Sequence, residues 1–530
     1  MVGRNRIPWY LTAMLNKINV LAAKKAASTS VTNKSIPIMN KKLLTFPVLA
    51  TMGCMVQAQN DPKHPNVVFV LADDMGFSGI QAYGGNNIPS PNIDFLADNG
   101  VVCENFRATP LSSSTRVCLM TGRYQQRAGL NHIYSEVDPM DGLDPATNPS
   151  FAKLLQKAGY RTGLIGKWHL GQDIKFNPLN HGWDTWHGYT MGNIDFHSHY
   201  NTNHEIDWWD GKEVKDEPGY VTYLINKHSV EFIKESVKDK KPFFLMVSEN
   251  AVHVPMQGPN DPALRTKEAC PYRNDENMSD AEYRRVYQDM VQAMDEGVGQ
   301  IIRTLKEQGV LENTIIVYTS DNGGEEVAAD KYPGNNGYFR GAKGSPYEGG
   351  CRVPAIFYYP KEWGHSRNSE PMHVIDLMPT FLDFCNVENT SKVDGVSLMP
   401  TLRKKIPMPD RKIYSAITGF MTVTDGDWKC VWSKNNKVEL FNLMIDRNEE
   451  HDLSTQYPER VASMKRDMEN WWMDCTRGTR LEGRTTWNSG WVVELIEEMA
   501  KQGKTLKDHP FFQRAVGKKE AVPDNKKKEL

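Results

Sequence analysis

The sequence lacks an excess of charge of either sign, paired cysteines and internal repeats. Its 63 Lys and Arg nearly balance its 65 Asp and Glu, giving a formal net charge of -2. Such a balance gives no electrostatic reason to expect nucleic acid as a partner. The 8 cysteines are scattered without CxxC pairs, which argues against a disulfide framework and a zinc ribbon. Any affinity for an anion must therefore come from a local cluster of side chains.

The sequence also lacks an apolar run long enough to span a bilayer in its N-terminal region. From Met39, two lysines precede an apolar run over 43–56, and small residues precede a candidate cleavage site after Ala58. This order is typical of a secretory signal. We therefore expect the mature protein to be exported, with the periplasm as the first expectation. A lipid on Cys54 at the outer membrane and full secretion are the alternatives.

From Asn66 onward, apolar strand-like runs alternate with amphipathic helical segments. This alternation predicts an α/β domain with a largely parallel sheet. After about Asp410 the runs "KIYSA", "KCVWS" and "VELFNL" are short and separated by polar turns. They predict a small antiparallel sheet, followed by a helix over about 458–475. The predicted organisation is an upstream extension with a signal peptide (1–58, the signal at 39–58), a large α/β domain (59–409), and a C-terminal subdomain with a tail (410–530).

Polar side chains follow three of the apolar runs. Asp73 and Asp74 follow the first, His253 follows the second, and Asp321 and Asn322 follow the third. Ligands of open α/β sheets bind beyond the carboxyl ends of the strands. Adjacent carboxylates either lie in a solvated turn or are neutralised by a cation. The two acidic pairs offer only oxygen ligands, which suits calcium or magnesium and argues against a two-zinc centre.

A run of four hydroxyl side chains occupies positions 112–115 of the segment "LSSSTRVCLMTGRY", directly before Arg116. Such a run can simply cap a helix. Alternatively, one hydroxyl is a nucleophile, placed where helix amides and Arg116 can bind an anion. The residues alone leave both interpretations open.

Three segments in order carry a resemblance to a known family. Ser112 to Arg116 is followed by "TGR" at 121–123, then by "GYRTGLIGKWHLG" at 159–171 and "RGAKGSPYEGGCRVP" at 340–354. In these segments the chain resembles the type I sulfatases of the alkaline-phosphatase superfamily. The resemblance extends to the "ELFNLMIDRNEEHDL" region and implies a large, mostly parallel mixed sheet flanked by helices. It also implies a smaller C-terminal subdomain and an enzyme that hydrolyses sulfate esters.

The resemblance further implies that Ser112 is converted to formylglycine (3-oxoalanine), whose hydrate attacks sulfur. Serine at this position, rather than cysteine, implies an anaerobic radical maturation enzyme as a transient partner. Two positions depart from the family motif, because Ser114 stands in place of its proline and Thr115 in place of its serine.

The resemblance also assigns roles to the remaining polar residues of the motifs. The implied ligands of calcium, or magnesium, are Asp73, Asp74, Asp321, Asn322 and the modified Ser112. Arg116 and Lys167 would hold the formylglycine, and Lys343 would contact the sulfate. His253 would bind sulfate and protonate the leaving oxygen, and His169 would accept the proton of the diol when sulfate departs. Histidine suits such transfers because its unperturbed pKa lies near neutral pH.

Residues 183–210 are rich in Trp, His and Asp. This segment either recognises a carbohydrate through aromatic stacking and hydrogen bonds, or it is a tryptophan-rich loop packed on the core. Its pattern resembles that of bacterial sulfatases acting on sulfated polysaccharides, so the predicted substrate is a sulfated carbohydrate. The candidate substrate-binding residues are Asp195, His197, His199 and Asp207. The alternatives are a phosphonate or phosphate ester hydrolase on the same fold, and a sugar-binding protein with an inactive site.

Overall fold

The computed structural model describes residues 64–85, 88–134, 140–325 and 336–484. The predicted signal at 39–58, with Cys54, lies outside these residues. Within the described ranges, no helix has the length and apolar character needed to cross a membrane.

The described residues form strands and helices in alternation. The strands are β1 (Asn66–Ala72), β2 (Val101–Cys103), β3 (Phe106–Arg107), β4 (Arg161–Lys167), β5 (Thr185–Tyr189), β6 (Trp209–Asp210), β7 (Glu213–Val214), β8 (Phe243–Ser248), β9 (Thr314–Ser320), β10 (Ala355–Tyr358), β11 (Ser366–Asn368), β12 (Met372–His373), β13 (Lys412–Ile417), β14 (Phe420–Asp425), β15 (Trp428–Ser433) and β16 (Val438–Asn442). The α-helices are α1 (Pro91–Asp98), α2 (Ser112–Thr121), α3 (Phe151–Lys157), α4 (Val221–Lys238), α5 (Asp280–Glu307), α6 (Glu348–Cys351), α7 (Leu377–Phe384), α8 (Met399–Lys404) and α9 (Pro458–Thr476).

The large sheet has ten strands in the order β11-β2-β10-β9-β1-β8-β4-β5-β6-β7. Its centre, from β9 through β1, β8 and β4 to β5, is parallel, whereas β10 runs antiparallel to β9. Strand β1 lies in the middle, and its Val70 pairs with Val247 of β8 and Tyr318 of β9. All residues of β1 and β9 are buried, which explains why both read as continuous apolar runs.

Alternate residues of β1 enter two separate hydrophobic clusters on the two faces of the sheet. Phe69 packs against Phe381 of α7, with ring centroids 5.1 Å apart. Val68 and Val70 belong to the cluster that also contains the buried side of α5. Ser279 caps α5 by accepting a hydrogen bond from the backbone amide of Glu282 at 3.3 Å.

Strands β13 to β16 form a separate antiparallel sheet in sequential order, and α9 packs on it. Tyr414 of β13 stacks on Trp471 of α9 with ring centroids 5.0 Å apart. Strands β3 and β12 form a third, two-stranded sheet. A buried ion cluster around Glu348 of α6 contacts Arg107 of β3, Arg352, and Lys429 of β15. The predicted fold class, a mostly parallel mixed sheet with helices and a smaller C-terminal antiparallel sheet plus helix, is confirmed.

Candidate active site

The two acidic pairs meet at the carboxyl edge of the large sheet. Asp73 and Asp74 follow β1, and Asp321 and Asn322 follow the adjacent parallel strand β9. The side-chain amide of Asn322 donates to Oδ1 of Asp74 at 2.7 Å, and the backbone amide of Asp74 donates to Oδ1 of Asp321 at 3.2 Å. Because parallel strands end at one edge, residues far apart in the sequence become direct neighbours here.

Ser112 is the first residue of α2 and is buried beside Asp321. Its Oγ donates to Oδ2 of Asp321 at 2.5 Å, and Nε of Arg116 donates to the same Oγ at 3.0 Å. Nη2 of Arg116 also donates to Oδ2 of Asp321 at 2.9 Å. The amides of a helix's first turn have no intrahelical acceptor, so this position favours an anion.

Lys167, the last residue of β4, is buried beside the acidic pairs. Its Nζ donates to Oδ2 of Asp73 at 2.6 Å, and both side chains have 0% exposure. Nη1 of Arg116 donates to the carbonyl of Lys167 at 3.1 Å and to Oγ of Ser248 at 2.7 Å. The ends of β4 and β8 thus hold the guanidinium that contacts Ser112.

Lys343 and His253 lie together on the other side of Asp74. Nζ of Lys343 donates to Oδ2 of Asp74 at 2.8 Å and to Nε2 of His253 at 3.0 Å. Nδ1 of His253 lies 2.8 Å from the carbonyl of Val254. A carbonyl only accepts, so Nδ1 carries the proton and Nε2 is the acceptor.

His169 follows β4 by two residues and completes the predicted set. Its carbonyl accepts a hydrogen bond from Oγ of Ser113 at 3.1 Å, which ties it to the start of α2. His169 and Asp74 both have positive φ values, 56° and 60°. This region is uncommon for residues other than glycine, and such strain concentrates at functional sites.

Burial and neighbouring charges shift the pKa values of the cluster. Burial raises the pKa of Asp73 well above its usual value, with Lys167 acting in the opposite direction. Burial would also raise the pKa of Asp321, but Arg116 and Lys167 outweigh it and hold this pKa below its usual value. Burial, with Lys343 as a further cause, lowers the pKa of His253 well below its usual range. The imidazole is therefore neutral in the absence of a bound anion.

The acidic cluster has the donors that a divalent cation requires. Asp73, Asp74 and His253 offer ligand atoms that lie within 4.8 Å of one another. Oδ1 of Asp73 and Oδ1 of Asn322 are buried without a hydrogen-bond partner. Buried polar atoms normally have partners, so these two oxygens are suited to a cation.

The two departures from the family motif are accommodated locally. Oγ of Ser114, at the position of the motif's proline, donates to the carbonyl of His132 at 2.6 Å. Oγ1 of Thr115 lies 2.8 Å from Oγ1 of Thr109. Neither substitution disturbs the contacts of Ser112 with Asp321 and Arg116.

The four candidate substrate-binding residues have internal partners in the structure. The carboxylate of Asp195 accepts four backbone amides, from His197, Ser198, Leu264 and Arg265. Asp207 accepts from the backbone amides of Thr190 and Met191 and from the indole of Trp209. Both are buried, with their oxygens bonded to the protein itself, and the direct sugar contact of Asp195 and Asp207 stays a prediction. Their acceptor capacity is used to shape the loops.

The two histidines of this segment also contact main-chain carbonyls. Nε2 of His199 lies 2.9 Å from the carbonyl of Gly219, and the side chain is buried. Nε2 of His197 lies 3.1 Å from the carbonyl of Gly258, and its ring packs on Tyr220 at a centroid distance of 5.1 Å. The structure thus favours the second interpretation of 183–210, a loop packed on the core.

Sequence reasoning missed several side chains around the cluster. Ser248 bridges Arg116 and Lys167, and its position as the last residue of β8 was the available signal. Glu325 contacts Lys343 at 3.2 Å, only three residues beyond Asn322. Tyr272 packs against His253 at a centroid distance of 6.4 Å. No sequence signal marks Tyr272, because it lies in an irregular segment far from every motif.

Comparisons with known proteins agree with this geometry. Residues 65–387 match the family described as Sulfatase. N-acetylgalactosamine-6-sulfatase of Rattus norvegicus is 31% identical over 429 residues, covering 76% of this chain and 78% of that protein. Arylsulfatase J of Mus musculus is 31% identical over 378 residues, covering 69% of this chain and 60% of that protein. The crystal structure of Ps i-CgsB in complex with k-i-k-neocarrahexaose is 28% identical, covers 83% of this chain and 100% of that chain, and has a TM-score of 0.71.

The family match covers more than half of the chain and contains the whole acidic cluster. The relatives align over most of the same length and are themselves named sulfatases. The geometry brings a buried serine hydroxyl, an oxygen-rich acidic cluster and three basic side chains together at one edge of the sheet. The chain therefore belongs to the sulfatase family and is a sulfuric ester hydrolase.

Proposed function

We propose that the protein hydrolyses sulfate monoesters on a carbohydrate, with formylglycine derived from Ser112 and a bound calcium ion. The observation that carries this proposal is the convergence of Ser112, Arg116 and Lys167 on the acidic pairs, at distances of 2.5 to 2.9 Å. The carbohydrate is supported by the relatives, one named N-acetylgalactosamine-6-sulfatase and one crystallised with a neocarrahexaose.

The charges of the cluster suit an anionic ester once a divalent cation is present. Three carboxylates, of Asp73, Asp74 and Asp321, face three cations, of Arg116, Lys167 and Lys343. A divalent cation would be held by Asp73, Asp74, Asp321 and Asn322, and when bound it supplies Lewis-acid stabilisation of a sulfate oxygen. Because the protein charges alone balance, the cation makes the site net positive. Calcium is favoured over zinc because the ligands are mostly hard oxygens.

The chain's own residues then position the reacting groups. Formylglycine at position 112 supplies, when hydrated, a more acidic oxygen nucleophile than a serine hydroxyl. Arg116 contacts both position 112 and Asp321. Lys167 donates a hydrogen bond to the neighbouring carboxylate of Asp73 and orients it. The ammonium of Lys343, which lies 2.8 Å from Asp74, is the proposed contact of a sulfate oxygen. These preorganised cations stabilise the charge that develops in the transition state.

Two histidines move protons in the proposed reaction. The negative charge of a bound sulfate raises the proton affinity of His253. Its Nε2 then takes up a proton from solvent and donates it to the leaving oxygen. His169 is held neutral by burial and by Lys167, which lower its pKa well below the usual value. A neutral imidazole is the form that accepts a proton, which is the role proposed for His169 when sulfate departs.

Maturation and export complete the proposal. Serine at position 112 requires an anaerobic radical maturation enzyme as a transient partner. The segment at 39–58 directs the protein to the periplasm, with an outer-membrane lipoprotein or a secreted form as alternatives.

The test is sulfate release measured by ion chromatography on protein co-expressed with a serine-type maturation enzyme. Substrates are oligosaccharides from chondroitin sulfate and from carrageenan, with an aryl sulfate and an aryl phosphodiester for comparison. We expect release from at least one sulfated oligosaccharide and loss of release in Ser112→Ala. Faster turnover of the phosphodiester would support the phosphate or phosphonate ester hydrolase instead. Oligosaccharide binding without any release by the matured protein would support a sugar-binding protein.

A further inference from the structure

The side chains around His253 and Lys343 differ in their access to solvent. Among the described residues, Asp74, Asn193 and Val254 contact this pair and are buried. Tyr272 is 48% exposed, and the side chain of Glu325 is 14% exposed. Tyr272 and Glu325 therefore lie on the side from which a substrate reaches the pair.

Tyr272 has an anchored backbone and an exposed ring. Its carbonyl accepts a hydrogen bond from Nη2 of the buried Arg265 at 3.0 Å. Its ring is nearly perpendicular to the imidazole of His253, at 87° and a centroid distance of 6.4 Å. The side chain is 48% exposed, so part of the ring is accessible to a ligand. A rigidly anchored aromatic face beside the proposed proton donor is suited to stacking on a sugar ring.

Glu325 places a carboxylate between two cations at the same entrance. Its Oε1 accepts from Nζ of Lys343 at 3.2 Å, and its Oε2 lies 3.3 Å from Nη2 of Arg273. An ionised carboxylate accepts about four hydrogen bonds. Acceptor capacity therefore remains for a hydroxyl group beside Lys343.

We propose that Tyr272 and Glu325 form the recognition face for the sugar that carries the sulfate ester. The ring of Tyr272 stacks on the sugar, and Glu325 accepts a hydrogen bond from the hydroxyl next to the ester. This inference rests on the proposed function, because it places the leaving sugar beside His253. A carboxylate at this point repels a second anionic group. The enzyme therefore prefers a sugar whose neighbouring position is a free hydroxyl over one sulfated there.

The first test compares Tyr272→Ala and Tyr272→Phe on the oligosaccharide that the wild type desulfates best. We expect Tyr272→Ala to raise KM about 10-fold, because it loses the stacking surface, and Tyr272→Phe to stay within about twofold of wild type. Product inhibition by inorganic sulfate should be unchanged in both variants, because sulfate alone does not reach the ring. Tyr457→Ala is the matched control, since Tyr457 is 44% exposed and packs on Trp428 of the C-terminal sheet.

The second test measures kcat/KM of Glu325→Gln on a pair of sugars that differ by one neighbouring sulfate. We expect the preference for the monosulfated sugar to fall about 10-fold, since glutamine removes the repulsion. An unchanged KM in Tyr272→Ala together with an unchanged preference in Glu325→Gln, in an active enzyme, overturns the inference and leaves the proposed function intact. A matured wild type that releases no sulfate from any oligosaccharide overturns both.

Discussion

Replacing Glu348 by glutamine tests how the buried ion cluster joins α6 and β3 to the C-terminal sheet. The carboxylate lies 3.0 Å from Nη2 of Arg107 and 3.0 Å from Nζ of Lys429, and it also pairs with Arg352. In Glu348→Gln, Lys429 keeps its ion pair with Glu449, in which Nζ lies 2.8 Å from Oε1. The two arginines lose their only carboxylate partner among the described contacts.

Breaking a buried ion pair from one side costs about 3–5 kcal/mol, because uncompensated charge stays buried. We therefore expect Glu348→Gln to lower the free energy of unfolding by about that amount, measured by urea denaturation. The matched control is Glu362→Gln. Glu362 forms an ion pair with Arg403 at the surface, where the two side chains are 35% and 39% exposed, respectively. Such a surface pair contributes about 0–1 kcal/mol. Equal destabilisation by the two variants would refute the reasoning.

The same cluster has a predictable pH dependence. Burial would raise the pKa of Glu348, but Arg107, Arg352 and Lys429 outweigh it and hold the pKa well below its usual value. A lowered folded pKa contributes stability above the unfolded pKa, about 4.3, and this contribution is lost as pH falls toward the folded pKa. The stability difference between wild type and Glu348→Gln should therefore be constant near neutral pH and shrink below about pH 4.

Three further predictions concern the active site. Lys343→Ala removes a cation from the proposed sulfate contact and should lower kcat/KM for the preferred sulfated oligosaccharide about 10²- to 10³-fold. A cooperative unfolding transition is the control for an intact fold, because Lys343 also pairs with the buried Asp74 and its loss lowers stability. Chelation of divalent cations should abolish sulfate release, and added calcium should restore it in wild type but not in Asp73→Asn; full activity in excess chelator would contradict the cation's role. In Gly166→Ala, a Cβ would meet the carbonyl of Ser248 at 1.9 Å at a φ of +107°, so soluble yield and activity should collapse. Gly159→Ala is the control, because its φ is +91° with nothing within 4 Å, and the expected cost is about 1–2 kcal/mol.

The central strands could be predicted from the sequence because they are buried on both faces. Continuous apolar runs mark β1, β8 and β9, and the polar residues that end them lie at one edge. Strand β14, "FMTVTD", is as long as β13 and is separated from it by only two residues, and it was not among the predicted strands.

The contacts between distant segments could not be predicted from local patterns. The order of the ten strands depends on long-range pairing, such as that of β10 with both β2 and β9. Asp195 and Asp207 illustrate the same limit within the site. In the sequence, carboxylates in an aromatic-rich segment suggest hydrogen bonds to a sugar. In the structure, their oxygens accept hydrogen bonds from backbone amides. Tyr272 contacts His253 only because the fold brings their two segments together.

The most direct test of the central claim is mass spectrometry of the peptide spanning 108–123, taken from protein that releases sulfate from a sulfated oligosaccharide. Conversion of Ser112 to formylglycine removes two hydrogens and lowers the peptide mass by about 2 Da. The account predicts this shift in the active enzyme and its absence in Ser112→Ala, which should be inactive. Sulfate release by protein whose Ser112 is wholly unmodified would contradict the account.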